Sequence, residues 1–369
     1  MNILYDYQIF SAQKYGGISR YFYEVSNRIA ELKGNEVEII SPLYVNKYFN
    51  KKCKVIPLGV EIPDFPHTKK ILNILNSSLS NFFVNRKNGI DIFHETYYSR
   101  LNNLPKNAKR VITIHDMIHE KYSNKTSSPD KEALNKALAV KRADHIICVS
   151  ENTRLDLIDI LNVPVDKTSV VYHGYEFIVQ DNIQCQSSYN NKPFILYVGK
   201  RSGYKNFNEF VLAYSKSAYL RKEFSIICFG GGEFNTYEKT LFNSLNISFD
   251  KVFHLSGTDN VLANLYRTAA VFIYPSLYEG FGMPTLEAMS FGCPVACSNT
   301  SSLPEVVGNA AELFNPLDID EISNALLSVL SSTERARELT LLGKENINRF
   351  SWGKCARDTL SVYDRLLLN

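Results

Sequence analysis

Short apolar runs recur along the chain, and many of them are continuous rather than alternating with polar residues. Continuous runs of this length are typical of parallel strands that are covered on both faces of the sheet. The runs predicted as strands are "NILYDY", "VEIISPLYV", "IDIFHE", "RVITIHDM", "HIICVS", "TSVVYHG", "PFILYVGK", "FSIICFGGG", "KVFHLSG", "AVFIYPS" and "PVACSN".

The segments between these runs have helical length. They include "GISRYFYEVSNRIAEL", "KEALNKALAVKRA", "ENTRLDLIDIL", "NFNEFVLAYSKSA" and "MPTLEAMSFG". Strands that alternate with helices in this way predict α/β architecture with doubly wound parallel sheets.

The length and composition of the chain predict two domains. A chain of 369 residues, 45% of them hydrophobic, is longer than a single hydrophobic core covers. The polar run over residues 178–193 shows no periodicity and ends where a new strand begins, as expected of a linker. We therefore predict a first domain over residues 1–177, a second over 194–349, and a final helix in 350–369 that caps the assembly.

Charge and cysteine content narrow the class of protein. The 41 Lys and Arg residues and 38 Asp and Glu residues leave a net charge of only +3, which argues against a nucleic-acid partner. The seven cysteines form no CxxC pair, which argues against a zinc ribbon or a secreted disulfide framework. Without a leader or an apolar run of about 18 residues, the chain is expected in the cytoplasm or at the inner face of the membrane.

One segment combines apolar periodicity with basic ends. Ile71, Leu75, Leu79 and Phe82 have helical spacing, and Lys69, Lys70, Arg86 and Lys87 flank them. Such a segment could contact anionic lipid. Packing of its apolar face against the first domain is the favoured interpretation.

The loop "GKRSGYKN" follows a predicted strand and precedes a helix. Gly199 and Gly203 allow its backbone to adopt conformations that other residues rarely adopt. The same loop carries Lys200 and Lys205. Ligands of open α/β sheets bind at the carboxyl ends of strands, and two cations near a helix N-terminus suit a diphosphate. The alternative is a solvated loop with incidental lysines.

The stretch "YEGFGMPTLEAM" places two carboxylates beside glycines between a predicted strand and a predicted helix. Glu279 lies in the loop, whereas Glu287 lies about one turn inside the helix that begins near Pro284. Gly280 and Gly282 allow a ligand to approach the backbone closely. A carboxylate can accept hydrogen bonds from two sugar hydroxyls, so ligand binding is favoured over a helix-dipole or surface-pair role for these glutamates.

The first half of the chain contains weaker candidates for functional residues. Gly16 and Gly17 stand at the start of a predicted helix, but neither they nor "FGGGEF" match the GxGxxG spacing of a dinucleotide fingerprint. His115 and Asp116 directly follow a predicted strand, and His94 occupies a similar position. A lone histidine in such a place is more often structural than functional.

Metal ligands are sparse in the sequence. The DxD triplet spans Asp318 to Asp320, where an aspartate suits the N-cap of the following helix. No obligatory divalent ion is therefore predicted.

Several motifs together resemble the GT4 family of retaining glycosyltransferases. The segment from Glu279 to Glu287 resembles the EX7E signature of this family. Supporting matches are the GGI turn at Gly16 to Ile18, "HD" at His115 and Asp116, the loop from Gly199 to Asn206, and "PSLYEGFG". On "YDYQIFSAQKYGGISRY" and "SNTSSLPEVVGNAA" the chain is similar to the mannosyltransferase-B-like subgroup of bacterial O-antigen and capsule assembly.

This resemblance implies a fold and a reaction. The fold would be GT-B, with two facing Rossmann-like domains and a C-terminal helix that crosses back to the first. The reaction would move a hexose from a nucleotide sugar, with GDP-mannose favoured over a UDP-hexose or UDP-N-acetylhexosamine, to a glycan or lipid-linked glycan. It would need no cofactor and no metal.

The resemblance also implies residue roles. Glu287 would hold the ribose and Glu279 the transferred sugar, while Lys200 and Lys205 neutralise the diphosphate and His115 lines the sugar near the reacting carbon. Many family members carry arginine at the position of Lys200. The implied catalytic residues are Glu279, His115, Lys200 and Lys205, and the implied donor-binding residues are Gly16, Gly17, Gly199, Lys200, Lys205, Glu279, Gly280, Phe281, Gly282, Met283, Pro284, Thr285 and Glu287.

Two other functions remain open from the sequence. A sugar-nucleotide epimerase of the hydrolysing type would use the same nucleotide site and release a free sugar without an acceptor. A catalytically silent partner in polysaccharide assembly would bind the nucleotide sugar without turnover. The oligomeric state is not determined by the sequence.

Overall fold

The computed structural model divides the chain into two compact units. Unit 1 comprises Met1–Gly174 and Phe350–Asn369, and unit 2 comprises Tyr175–Arg349. The structure describes residues 1–49, 53–64, 69–84, 86–100, 105, 107–122, 130–176 and 192–368, with the side chains of residues 69–71 and 73 outside this set. Most of the predicted linker, residues 178–191, lies outside the described residues.

Unit 1 is built on a seven-stranded parallel sheet. Its strands lie in the order β3-β2-β1-β4-β5-β6-β7, so the sheet is doubly wound and its winding reverses between β1 and β4. The strands are β1 Asn2–Tyr5, β2 Glu36–Tyr44, β3 Leu58–Glu61, β4 Ile92–Glu95, β5 Lys109–Ile114, β6 His145–Cys148 and β7 Thr168–Val170.

Seven helices belong to the described part of unit 1, apart from one short 3₁₀ turn. Their apolar faces and the sheet form a core in which β1, α2 and the last helix of the chain meet. The helices are α1 Gln8–Ala12, α2 Gly17–Glu31, α3 Lys69–Val84, α4 Ile118–Tyr122, α5 Lys131–Arg142, α6 Glu151–Leu161 and α15 Trp352–Leu368.

The C-terminal helix α15 packs on α2 within unit 1. The hydroxyl of Tyr363 lies 3.1 Å from the hydroxyl of Tyr5, and the ring of Trp352 packs edge-on against Tyr21. The backbone of Trp352 leaves no room for a Cβ at Gly174, because that atom would lie 2.4 Å from the Trp352 nitrogen. The last helix is therefore part of the core of unit 1.

Unit 2 is built on a six-stranded parallel sheet in the order β10-β9-β8-β11-β12-β13, and its winding reverses between β8 and β11. The strands are β8 Phe194–Val198, β9 Ser225–Phe229, β10 Val252–Leu255, β11 Val271–Tyr274, β12 Val295–Ser298 and β13 Glu312–Phe314. The helices are α7 Phe207–Lys216, α8 Ala218–Glu223, α9 Thr236–Ser244, α10 Asp259–Thr268, α11 Met283–Ser290, α12 Leu303–Val307, α13 Ile319–Leu330 and α14 Thr333–Asn346.

The predicted strands are all present, and two further strands occur at sheet edges. Every residue of β3 is exposed, and β13 has only three residues. Neither segment is a long apolar run, because an edge strand is covered by neighbours on fewer sides than a central strand.

A helix can span a membrane only if it is long and apolar enough. Within the described ranges, none of the helices combines the length and the apolar character that a membrane span requires.

Candidate functional site

The strongest charged constellation in unit 2 lies where its sheet reverses winding direction. Lys205 follows β8 and Glu279 follows β11, and these two strands are neighbours at the reversal point. The Nζ atom of Lys205 lies 2.6 Å from Oε1 of Glu279 and donates to the hydroxyl of Tyr274 at 3.2 Å. Ligands of open α/β sheets bind in this position, outside the carboxyl ends of the strands.

This pair is largely buried but keeps some contact with solvent. The side chains of Lys205 and Glu279 keep 16% and 10% of their exposure. Burial raises the pKa of Tyr274 well above its ordinary value, and the carboxylate of Glu279 raises it further. Tyr274 therefore stays a neutral hydroxyl that fixes the ammonium in place.

The loop that carries Glu279 is held by two serines that follow β12. The backbone N–H of Glu279 donates to Oγ of Ser301 at 2.9 Å. The hydroxyl of Ser302 contacts the carbonyls of Glu279 at 2.8 Å and Phe281 at 3.0 Å. Gly280 is buried in the same loop. This loop is therefore fixed before any ligand binds.

Helix α11 begins directly after this loop, with Met283 and Pro284 in its first turn. Gly282 has a φ of 105°, and a Cβ there would lie 2.7 Å from Leu303. A side chain at this position would be strained and would collide with α12, so glycine is required. The hydroxyl of Thr285 donates to the carbonyl of Gly282 at 2.7 Å, so this hydroxyl supports the turn.

Glu287 is half-buried in α11 and has a tyrosine as its hydrogen-bond partner. The hydroxyl of Tyr266 donates to Oε2 of Glu287 at 3.2 Å. Burial raises the pKa of Tyr266 well above its ordinary value, and the neighbouring carboxylate raises it further. Glu279 and Glu287 thus have different surroundings despite their regular spacing.

The Lys200 side of the site is built from two glycine-rich loops. Lys200 is exposed on the loop after Gly199. A Cβ at Gly231 would lie 2.7 Å from the carbonyl oxygen of Gly199, so the loops after β8 and β9 approach each other closely. A cavity of about 360 Å³ is lined by Lys200, Arg201, Ser202, Gly231, Glu233, Asn235 and Glu238.

Arg201, beside Lys200, has a structural role. Its Nε atom lies 2.7 Å from Oε1 of Glu238, and both side chains are nearly fully buried. Its other nitrogens donate to the carbonyls of Gly230 and Gly232 at 2.9 and 2.7 Å. Arg201 therefore holds the triple-glycine loop in place, and Lys200 is the cation that faces solvent.

At the corresponding edge of unit 1, His115 follows β5 and stacks on a second histidine. The ring centroids of His115 and His173 are 5.5 Å apart, and Tyr21 packs edge-on against both rings. Burial, with His173 as the next cause, lowers the pKa of His115 well below its ordinary value. Burial lowers the pKa of His173 to about 3. Both rings are therefore neutral at physiological pH.

The imidazole of His115 has an unused polar atom. Its Nε2 atom is buried and has no hydrogen-bond partner among the described residues. A buried polar atom without a partner is costly and usually marks a place for a water molecule or a ligand. This favours a functional reading of His115 over a purely structural one.

His94 is a core residue, unlike His115. It lies inside β4, fully buried, and its ring contacts the hydroxyls of Tyr363 and Thr113. Burial lowers the pKa of His94 to about 3. The structural interpretation of this histidine is thus confirmed.

A buried lysine holds the turn that carries His115 and Asp116. Lys136 of α5 is 1% exposed, and its Nζ atom donates to the carbonyl of Asp116 and to Oε2 of Glu120, each at 2.8 Å. Sequence analysis missed Lys136 because a lysine inside a helical pattern normally faces solvent. His173 could have been found, because it follows a strand as His115 does.

The start of α2 differs from the expected bare backbone. A short helix, α1, separates it from β1, and the side-chain carbonyl of Gln13 accepts from the N–H of Ser19 at 3.1 Å. A Cβ at Gly16 would lie 2.2 Å from this oxygen, whereas Gly17 has open space around it. A ligand at this helix N-terminus would share it with Gln13.

The DxD triplet has the predicted structural role. Asp318 caps α13 by accepting from the N–H groups of Asp320 and Glu321. In the described part of the chain, His, Cys, Asp and Glu side chains do not cluster in threes or more around a possible metal position.

The structure brings some of the predicted site residues together within each unit. Lys205 and Glu279 are in direct contact, and Glu279 through Thr285 form one continuous loop and helix start. Gly16, Gly17 and His115 belong to unit 1. Tyr266 and Tyr274 were missed because an apolar strand or helix pattern gives no signal for the partner of a tyrosine hydroxyl.

Comparison with known families covers most of the chain. The family model described as "Glycosyltransferase Family 4" matches residues 15–177. The family model described as "Glycosyl transferases group 1" matches residues 179–345. Each match corresponds to one of the two parallel sheets.

Among curated proteins, the chain is similar to O-antigen chain mannosyltransferase B of Escherichia coli. The two are 32% identical over 231 residues, which is 60% of this chain and 60% of the relative. The match thus spans about three-fifths of the relative's length.

Solved structures have the same fold over the whole chain. Sucrose-phosphate synthase from Thermosynechococcus elongatus matches with a TM-score of 0.76 at 20% identity, covering 100% of this chain and 99% of that chain. HepE of Anabaena, in complex with UDP and glucose, matches with a TM-score of 0.70 at 15% identity, covering 98% and 99%. The chain therefore has the GT-B fold. Its two family matches, over residues 15–177 and 179–345, show that it belongs to glycosyltransferase family 4.

Proposed function

We propose that the protein is a retaining glycosyltransferase that moves mannose from GDP-mannose to a hydroxyl of a growing bacterial surface polysaccharide. The ion pair between Lys205 and Glu279 carries this proposal. An ammonium suited to a diphosphate and a carboxylate suited to sugar hydroxyls lie 2.6 Å apart at the winding reversal of the second sheet. A sugar diphosphate needs these two groups side by side, because its sugar hydroxyls lie next to its charged oxygens.

The relatives support the class of donor. The name of the E. coli relative gives mannose as its sugar and O-antigen as its product. The HepE structure holds UDP and glucose, so a UDP-hexose or UDP-N-acetylhexosamine is the alternative donor for the same site.

The chemistry of the leaving group fits the lysines. Charge grows on the diphosphate oxygens as the bond to the anomeric carbon breaks, and preorganised cations stabilise that charge best when water is scarce. Lys205 is held by Tyr274 and Glu279, and Lys200 lies on the same loop. We propose that these two cations take the part that a metal ion plays elsewhere.

The proposed mechanism needs no carboxylate nucleophile. The acceptor hydroxyl would attack from the face that the diphosphate leaves, and a departing phosphate oxygen would take the hydroxyl proton. Glu279, which already accepts from Lys205, would then orient the sugar instead of attacking it, unlike the nucleophile of a retaining glycosidase. Glu287, oriented by Tyr266, would accept from the ribose hydroxyls.

The nature of the acceptor bears on localisation. A growing surface polysaccharide is a glycan or a lipid-linked glycan. We place the reaction in the cytoplasm, with the inner face of the cytoplasmic membrane as the site for a lipid-linked acceptor.

A transfer assay tests the proposal. GDP-mannose, UDP-glucose and UDP-N-acetylglucosamine are each incubated with p-nitrophenyl α-mannoside and EDTA, and mass spectrometry detects the addition of one sugar. NMR then gives the anomeric configuration.

We expect an α-linked product from GDP-mannose, and we expect Glu279→Ala to lower the rate of transfer by about 10²-fold or more. Glu338→Ala, at a carboxylate of unit 2 that is 55% exposed, is the matched control and should keep full activity.

The assay also separates the alternatives. A free sugar formed without acceptor would indicate an epimerase, and GDP binding without turnover of any donor would indicate a non-catalytic partner. Full activity of Glu279→Ala would contradict the assigned site, and an inverted linkage would contradict same-face attack.

A further inference from the structure

Helix α3 of unit 1 has a mixed inner face and an apolar outer face. Its buried side chains recur every four residues and are between 0% and 6% exposed: Leu72, Asn76, Ser80 and Val84. The outer face carries the large apolar side chains Ile74, Leu75, Leu79, Phe82 and Phe83, which are between 41% and 69% exposed. A surface helix of a globular protein normally turns its apolar residues toward the core and its polar residues outward.

Specific hydrogen bonds set this orientation. The side-chain amide of Asn76 donates to the carbonyl of Leu43 and accepts from the N–H of Leu43, each at 2.8 Å. The amide thus pairs with β2 as a neighbouring strand would. Rotation of α3 to bury its apolar side would break both bonds and leave the Leu43 groups without partners, which is costly. The favoured prediction that this stripe packs onto the first domain is therefore wrong for Leu75, Leu79 and Phe82, and the side chain of Ile71 lies outside the described residues.

The outer face forms one apolar surface with a cation at its end. The rings of Phe82 and Phe83 are 5.7 Å apart, and the guanidinium of Arg86 lies 3.8 Å from the centre of the Phe82 ring. Contiguous exposed apolar surface of this kind marks an interaction site.

The charge around α3 selects the partner. Residues 65–90 contain Lys69, Lys70, Arg86 and Lys87 and no aspartate or glutamate. The whole chain has a net charge of +3. Because these four residues contribute +4, the rest of the chain has a net charge of −1. Lys87 contacts Glu38 of β2, so its charge is partly shared. The net excess of positive charge in the sequence therefore lies in the segment that contains α3.

We propose that the outer face of α3 docks on an anionic lipid bilayer. Phe82, Phe83 and the preceding leucines would enter the boundary between headgroups and acyl chains, and Arg86 would face the headgroups, as in interfacial amphipathic helices. None of these side chains belongs to the proposed transferase site, and the proposal stands whether or not that reaction is correct.

Vesicle flotation tests the proposal on the full chain. We expect the protein to float with vesicles that contain roughly one-third phosphatidylglycerol in phosphatidylcholine, and to bind pure phosphatidylcholine much less. The double variant Phe82→Ser/Phe83→Ser should bind about tenfold less or weaker still. The control Leu155→Ser/Val165→Ser removes two apolar side chains of unit 1 that are 56% and 58% exposed, and it should bind as the wild type does.

Further readouts keep the test decisive. Thermal unfolding of the phenylalanine variant should match the wild type, and Ile74→Ser/Leu75→Ser should independently weaken flotation. Equal flotation of wild type and both variants, or no flotation of the wild type, would overturn the proposal. If light scattering instead showed a lipid-free wild-type dimer that the phenylalanine variant abolishes, a second copy of the chain would cover this face and the lipid proposal would be wrong.

Discussion

The carboxyl edges of the two sheets share a topology but differ in their chemistry. In unit 2 the edge carries Lys205 and Glu279 as a partly exposed ion pair, with Lys200 in solvent. In unit 1 it carries His115 and His173 among aromatic rings, and burial lowers the pKa of both. An edge that keeps its charges suits an anionic ligand. A pair of neutral histidine rings suits uncharged groups such as sugar hydroxyls.

A second contrast separates charges that serve folding from charges that serve a ligand. Lys136 and Glu120 keep only 1% and 6% of their side-chain exposure, whereas Lys205 and Glu279 keep 16% and 10%. A fully buried pair contributes mainly through the cost of breaking it. We therefore expect substitutions of Lys136 to act on stability and those of Lys205 to act on binding.

The largest effect is expected for Lys136→Met. It would leave the Glu120 carboxylate buried without its ammonium partner, at a cost of about 3–5 kcal/mol in the free energy of unfolding. Urea denaturation measures this. The control Lys216→Met removes an exposed pair with Asp320 and should cost less than about 1 kcal/mol. Equal costs for the two variants would show that the His115–Asp116 turn does not depend on Lys136.

Acidification should destabilise unit 1 through its histidines. The folded-state pKa of His94 is about 3, below the unfolded value of about 6.5, so the unfolded chain binds protons more readily. This stability is fully present above about pH 6.5 and falls by about 1.4 kcal/mol per pH unit for each such histidine as the pH decreases toward 3.

Urea denaturation at about pH 7.5 and 5.5 measures this slope. His94→Gln keeps a donor and an acceptor in the ring's place and should reduce the slope by one histidine's share. An unchanged slope in this variant would mean that His94 is not held neutral in the folded protein.

The smallest effect is expected for Gly17→Ala. Since the new Cβ would meet no atom within 4 Å, the free energy of unfolding should change by less than about 0.5 kcal/mol. Gly16→Ala would displace the Gln13 oxygen that caps Ser19 and should cost about 1 kcal/mol. Thermal unfolding of the two variants distinguishes them, and a loss of several degrees in Gly17→Ala would contradict the open space around it.

Much of the fold could be predicted from the sequence, because central parallel strands have a strong local signature. The loops of Lys205 and Glu279 could be placed at strand ends for the same reason. Their direct contact could not be predicted, because it depends on β8 and β11 being neighbours across more than 70 intervening positions. The exposure of Leu75, Leu79 and Phe82 on α3 was missed because periodicity identifies a helical stripe but not which side faces the sheet.

The central claim is that the charged edge of unit 2 binds a nucleoside diphosphate through Lys205. The most direct test is a thermal-shift panel of GDP, UDP, dTDP, ADP and CMP in EDTA, repeated with Lys205→Ala. A ligand at about 100 times its dissociation constant should add about 2.7 kcal/mol of stability. We expect stabilisation by GDP without metal, and affinity about 10-fold to 100-fold weaker in the variant, since a charged hydrogen bond contributes about 1.5–3 kcal/mol. Stabilisation by none of the nucleotides, or equal stabilisation of both proteins, would contradict the claim.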